Sequence, residues 1–333
     1  MTDQNKNIIK HELNEKILRI LPRENNDLLI LLQSKILCLK SPNYKFENAL
    51  NIIINDIMFY EMSLWKNNHI IIISLFDLYL VHLSNDNKTY NIIKKSNLYN
   101  NINTKFKRFI QVVPLNKFPN YSQFILNSFG KFFIYNQLYD NSFQSKLTFK
   151  NLKCFQSFIQ IRKNEIVCNS ETEKKVYFID IKKGNYLAKI NNIYTYILDR
   201  DIFCFINENI LGMAGDLRNG IYIFDINKRE FIYQYKEDWR GYNCLLSLGK
   251  NKFLGESYDG RSYGESDDEE EELYCTKFFE FNEKDNKLKL YKTSDSRITE
   301  LKRSNFIKFN NVEKIAYIEM KNVYIEDLTY LNN

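Results

Sequence analysis

The chain has 333 residues, 44% of them hydrophobic and 26% charged, which is enough for a large core and excludes a disordered, collagenous or disulfide-scaffold protein. Its formal charge is +6, but seven of the 41 acids fall between Glu265 and Glu272, so the other 47 basic and 34 acidic residues carry +13. This segregation fits an acidic protein partner, nucleic acid or anionic lipid, although an ordinary solvated lysine surface is the commoner origin of such a charge.

The N-terminal stretch Met1 to Lys10 is polar and lacks the apolar core of a secretory signal. Asn7 to Leu13 reads as a strand, or as the start of an amphipathic helix using Ile9, Leu13, Ile17 and Ile20. The longest strongly apolar run, around Ile70 to Leu75, falls well below the roughly 18 residues of a spanning helix. Six cysteines (Cys38, Cys154, Cys168, Cys204, Cys244, Cys275) are scattered singly, as expected of free thiols in a cytoplasmic or nuclear protein. Forty Ile, 25 Phe and 23 Tyr against four Ala favour strands over helices.

A strand motif of apolar residue, Tyr, two residues, Asp, then Ile or Leu recurs at Val176 to Ile181, Ile221 to Ile226 and Val323 to Leu328. Leu78 to Leu83 is a fourth copy with His82 in the Asp slot, and Ile36 to Ser41, Phe132 to Gln137 and Phe278 to Glu283 are weaker ones. The fifth positions, Lys40, His82, Asn136, Asp180, Asp225, Asn282 and Asp327, are separated by 42, 54, 44, 45, 57 and 45 residues. Each copy follows another strand after a polar turn, as in Glu165 to Cys168, Ile210 to Gly212 and Phe253 to Gly255. A third strand precedes that turn and a fourth follows the copy.

Four short strands in each of seven units predict an all-β chain, a seven-bladed β-propeller of four-stranded antiparallel blades. The expected organisation is one domain over residues 1–333, with seven repeats in 14–330. Residues 7–13 would close the last blade, and 259–273 would be an acidic, disordered insertion in the sixth. The motif resembles degenerate WD-repeat propellers over nearly the whole chain, without the Gly-His openings or Trp-Asp endings of regular repeats. The resemblance implies a non-catalytic scaffold, an adaptor binding proteins within a larger complex.

In such a propeller, the loops joining second to third strands share a face with those joining successive blades. Three loops would then meet there: Asp216 to Gly220, Glu237 to Tyr242, and the acidic insertion. Trp, Arg and Tyr are enriched in binding hot spots, so Trp239, Arg240 and Tyr242, with Arg218, form the expected partner-binding patch; turn formation and cover for a blade junction are the alternative. Ser266, followed by Asp267, Asp268 and Glu269, resembles an acidophilic kinase site, and its acidic run would compete with an acidic partner for Arg218 and Arg240.

Leu217-Arg218-Asn219-Gly220 faintly resembles the basic motif of phosphoinositide-binding propellers, with Asn219 in place of the second arginine. Lys105 to Phe109 interleaves basic and aromatic residues, as single-stranded RNA or a plain strand would require. No catalytic residues, cofactor or metal are expected, since no His or Cys pair has ligand spacing and no phosphate-binding loop is present.

Overall fold

A computed structural model of the chain describes residues 8–45, 50–54, 59–65, 68–74, 77–84, 89–97, 111–114, 123–128, 131–137, 143–148, 155–170, 172–195, 202–216, 218–238, 240–259, 274–294, 307–308, 314–319 and 321–327. It divides into two compact units, Met1–Leu152 with Asn305–Asn333, and Lys153–Ser304.

In the first unit, β1 (Ile8–Glu12) precedes the sheet of β2 (Ile17–Pro22), β3 (Leu28–Leu32), β4 (Lys35–Leu39) and β5 (Leu50–Ile53). A second sheet comprises β6 (Phe59–Leu64), β7 (His69–Ser74), β8 (Asp77–Leu83) and β9 (Tyr90–Asn97), and a third β10 (Gln111–Pro114), β11 (Gln123–Ser128), β12 (Lys131–Gln137) and β13 (Phe143–Thr148). The second unit holds β14 (Phe155–Arg162), β15 (Glu165–Ser170), β16 (Lys175–Asp180) and β17 (Asn185–Asn191) in one sheet. Next come β18 (Phe203–Phe205), β19 (Ile210–Ala214), β20 (Ile221–Asp225) and β21 (Glu230–Tyr235), then β22 (Arg240–Gly249), β23 (Lys252–Asp259), β24 (Tyr274–Asn282) and β25 (Lys287–Ser294). The chain returns to the first unit with β26 (Ile307–Lys308), β27 (Lys314–Glu319) and β28 (Asn322–Asp327).

The described strands thus form four-stranded antiparallel sheets, each a meander in sequence order except the one completed from both ends of the chain. There β1 pairs antiparallel with β28, from Ile8 opposite Glu326 to Glu12 opposite Asn322. The N-terminal segment is therefore a strand, and Ile17 and Ile20 belong to β2 instead of continuing a helix.

Why both faces of a strand are apolar is clearest in β3, Leu28-Leu29-Ile30-Leu31-Leu32, in which every residue is buried. Leu28, Ile30 and Leu32 pack with Ala316, Val323 and Ile325, whereas Leu29 and Leu31 join a second cluster with Met62, Ile72 and Tyr79. Alternation places successive side chains on opposite faces, so a sheet covered on both sides needs apolar residues at every position. The sheet of β2–β5 is also tied to that of β6–β9 by a buried ion pair, in which Arg19 donates to Glu61 Oε1 at 2.8 Å.

The repeated Asp has a local cause. Asp180 Oδ1 accepts the amides of Lys182 (2.8 Å) and Lys183 (3.0 Å), Asp225 Oδ1 those of Asn227 (2.7 Å) and Lys228 (2.8 Å), and Asn282 Oδ1 that of Lys284 (3.0 Å). Each side chain templates the turn between third and fourth strands. The next residue donates its amide to an asparagine carbonyl in the preceding turn, Ile181 to Asn164 and Ile226 to Asn209, at 2.8 and 2.9 Å. The motif is thus a turn-forming device. His82 fills the same slot by pairing across the ladder with His69, the two rings 4.8 Å apart.

Candidate functional site

In the second unit, the two ends of the sheets have different contents. At the end carrying the turns just described, polar side chains are bonded to one another: Arg229 donates to Glu165 Oε1 of the neighbouring sheet at 2.8 Å, and Asn227 to Asn209 Oδ1 of its own sheet at 2.8 Å. Asn207 donates to Asn251 Oδ1 at 2.7 Å and to Glu283 Oε1 at 3.0 Å.

The opposite end holds the loops singled out from the sequence. A backbone clamp brings two of them together: Arg218 donates its amide to the Arg240 carbonyl at 3.2 Å, and Tyr242 donates to that of Gly215 at 2.9 Å. The turn closes through Gly215 N to Gly220 O (2.7 Å) and Asn219 N to Asp216 O (2.9 Å), with Arg218 at φ 70° and Gly220 at φ 64°. A Cβ on Gly220 would lie 1.9 Å from the Tyr235 carbonyl oxygen, so only glycine fits. The Arg218 side chain stands exposed on this braced turn.

Arg240 is half-buried, its guanidinium donating to Cys275 Sγ at 3.1 Å and Ser257 Oγ at 3.5 Å. Beside it the Glu237 carboxylate pairs with the buried Lys277 ammonium and accepts the Tyr242 hydroxyl at 3.1 Å. Burial also raises the Asp216 carboxyl above the usual carboxylate range, against the opposing effects of the Asn219 amide and Lys174. Among the described residues, the exposed or half-exposed cations here include Lys174, Arg218, Lys236 and Arg240, suited to an anionic group.

Tyr242 differs from the sequence expectation, being 1% exposed. The glycine at Gly255 leaves room for its ring, since a Cβ there would lie 2.9 Å from Tyr242 Cδ1, and the ring packs against Phe279. Burial drives its hydroxyl far above the usual phenol range. Tyr242 therefore buttresses the loop from the core and offers no contact surface. Trp239, Leu217, the acidic run with Ser266, and Lys105 to Phe109 lie outside the described residues. Asn219 turns its carboxamide onto Asp216 within its own turn, away from the phosphate-binding role of the arginine it replaces.

The network of Glu237, Ser257, Cys275 and Lys277 was not legible beforehand, because its members are brought together only by the pairing of β22, β23 and β24. The one local signal is Lys277, a charge on the apolar stretch Phe278-Phe279. Among the described residues, no group of three or more His, Cys, Asp and Glu is placed to hold a metal ion, and no helix is long and apolar enough to cross a membrane.

No protein-family model and no curated protein matches the sequence. The fold does match solved structures. A chain from "Crystal Structure of Mitotic Checkpoint Complex" aligns over 98% of this chain and 94% of its own, with TM-score 0.68 and 8% identity. "Structure of U3-55K" aligns over 96% and 98%, with TM-score 0.68 and 9% identity. Virginiamycin B lyase from Staphylococcus aureus aligns over 97% and 100%, with TM-score 0.63 and 11% identity. At these identities the likeness is one of fold, and the fold is a β-propeller.

Proposed function

We propose that this propeller is a non-catalytic interaction scaffold, an adaptor that holds protein partners within a larger complex in the cytoplasm or nucleus. The carrying observation is the clamp between residues 215–220 and 240–242, which fixes two arginines on a braced support and leaves Arg218 exposed. A braced backbone removes the loop-ordering part of the cost of meeting an acidic segment. Trp239 lies between the clamp and the Glu237–Lys277 pair in sequence, and supplies the aromatic anchor. A solved neighbour taken from a mitotic checkpoint complex supports the reading, and another bears the name of a lyase.

The proposed organisation is a single seven-bladed domain, closed by the pairing of β1 with β28. Regulation would come from residues 260–273, which leave β23 at Asp259, the ladder partner of Arg240. Phosphate on Ser266 would strengthen the competition of this run for Arg218 and Arg240.

The test is affinity purification with quantitative mass spectrometry from cells that express the protein, comparing wild type with a Trp239→Ala, Arg240→Ala double variant of matched thermal stability. Loss of a discrete protein set in the variant supports the scaffold. A set dissolved by nuclease would replace it with RNA association, and recruitment to phosphoinositide vesicles lost on Arg218→Ala would replace it with membrane binding.

A further inference from the structure

The fourth strand of most sheets has an edge that resists pairing. β9, β13, β17, β21 and β25 each carry one extra residue opposite the third strand, at Ile93, Lys146, Leu187, Ile232 and Tyr291. Such bulges break the regular row of backbone donors and acceptors that another strand would need. β5, β9, β17 and β21 carry the exposed large apolar residues among those described, Ile53, Ile92, Ile93, Leu187 and Phe231. β5 has no bulge, but Tyr90 caps it, the hydroxyl donating to the Ile53 carbonyl at 2.8 Å and accepting the Ile53 amide at 3.3 Å.

β1 has neither device. Its ladder with β28 runs unbroken over five residue pairs. The Leu13 amide bonds the Lys321 carbonyl at 2.9 Å, which sets the alternation: Ile9 and His11 point their backbone groups at β28, and Ile8, Lys10 and Glu12 point theirs outward. The side chains of Lys10 and Glu12 are exposed. At the Glu12 end of this edge lies a groove of about 260 Å³, lined by Glu12, Leu13, Glu15, Leu32, Lys35 and Leu37 among others. Its leucines are buried core residues, whereas Glu12 and Glu15 bring two carboxylates to the rim of a chain that is otherwise strongly basic. The Glu15 carboxylate accepts the Ser34 hydroxyl at 2.7 Å and amide at 3.2 Å, which fixes it at the rim, and Lys35 stands 3.9 Å from it, so Glu12 is the carboxylate left for a partner's cation.

We propose that the open edge of β1 is a docking site for an extended segment of a partner protein, which adds a strand to this sheet and lays a Lys or Arg side chain in the adjoining groove. Main-chain hydrogen bonds at Ile8, Lys10 and Glu12 supply the attachment. The groove supplies selectivity: its volume admits the stem of a long cationic side chain, and the charge meets the Glu12 and Glu15 carboxylates at the rim. This site lies wholly in the first unit and stands independently of the arginine clamp in the second.

The test is selection of a random-peptide phage library on the full-length chain, with counter-selection on Lys10→Pro. Proline removes an outward-pointing amide and leaves the β28 ladder intact. Recovered peptides should be rich in strand-forming residues with a fixed Lys or Arg, bind Lys10→Pro undetectably, and bind Glu12→Lys about tenfold or more weakly. In the unsubstituted protein they should slow amide exchange at Ile8, Lys10 and Glu12, a readout that holds even if Lys10→Pro misfolds. Recovery of no Lys10-dependent peptide, or of peptides that leave those amides unprotected, overturns the proposal. Loss of the clamp's partners in Arg218 variants would leave it untouched.

Discussion

The two ends of the sheets in the second unit are built from the same strands and end in opposite conditions. At one end the polar groups are spent on one another: Glu165 with Arg229, Asn207 with Asn251 and Glu283, and Asp180 and Asp225 with their own turns. At the other, the backbone is equally well tied, through the clamp of residues 215–220 on 240–242, but Arg218 projects from it without burial. Rigidity alone therefore does not mark a binding surface. What distinguishes the clamp end is that main-chain bonds between two sheets brace the turn carrying the exposed arginine, whereas the exposed Lys182, Lys183 and Lys228 of the other end sit on turns held within one sheet.

That contrast breaks most forcefully at Gly220. Gly220→Val puts a β-branched residue at φ 64° with its Cβ against the Tyr235 carbonyl, and should cost about 3 kcal/mol or more in urea unfolding. It should also abolish partner binding. Asp225→Ala removes the acceptor for two turn amides at the opposite end; a loss of about 1 kcal/mol is expected in the same assay, with partner binding intact.

Smaller still is the coupling between Glu165 and Arg229, whose side chains are 15% and 30% exposed. A double-mutant cycle with alanine should return about 0.5 to 1 kcal/mol, reduced by salt. Arg218→Glu is the smallest in stability, within about 0.5 kcal/mol of wild type by thermal and urea unfolding, and the largest in function. If Arg218→Glu proves as destabilising as Asp225→Ala, its side chain is structural and the contrast between the ends disappears.

The repeat was readable because its turn chemistry is local. Asp180, Asp225 and Asn282 each bond amides two or three residues ahead, so the same short motif recurs wherever the turn does. Short continuous apolar runs marked the strands for a similar reason, as at β3 and β19, where both faces meet other side chains. The candidate site was half legible: Arg218 and Arg240 do converge, but through backbone bonds that no side-chain pattern encodes. Tyr242 reads as a hot-spot residue in isolation and is buried because Gly255, on the neighbouring strand, makes space for its ring. Nor could one-dimensional spacing reveal the bulges in the fourth strands, which arise from strand twist and pairing, or the pairing of Lys277 with Glu237 across 40 residues.

The most direct test of the contrast is a parallel co-purification of wild type, Arg218→Glu and Arg229→Ala from cells that express the protein. The account predicts a discrete set of partner proteins that Arg229→Ala retains and Arg218→Glu loses. Retention of the same set by Arg218→Glu, or its loss in both variants alike, would contradict it.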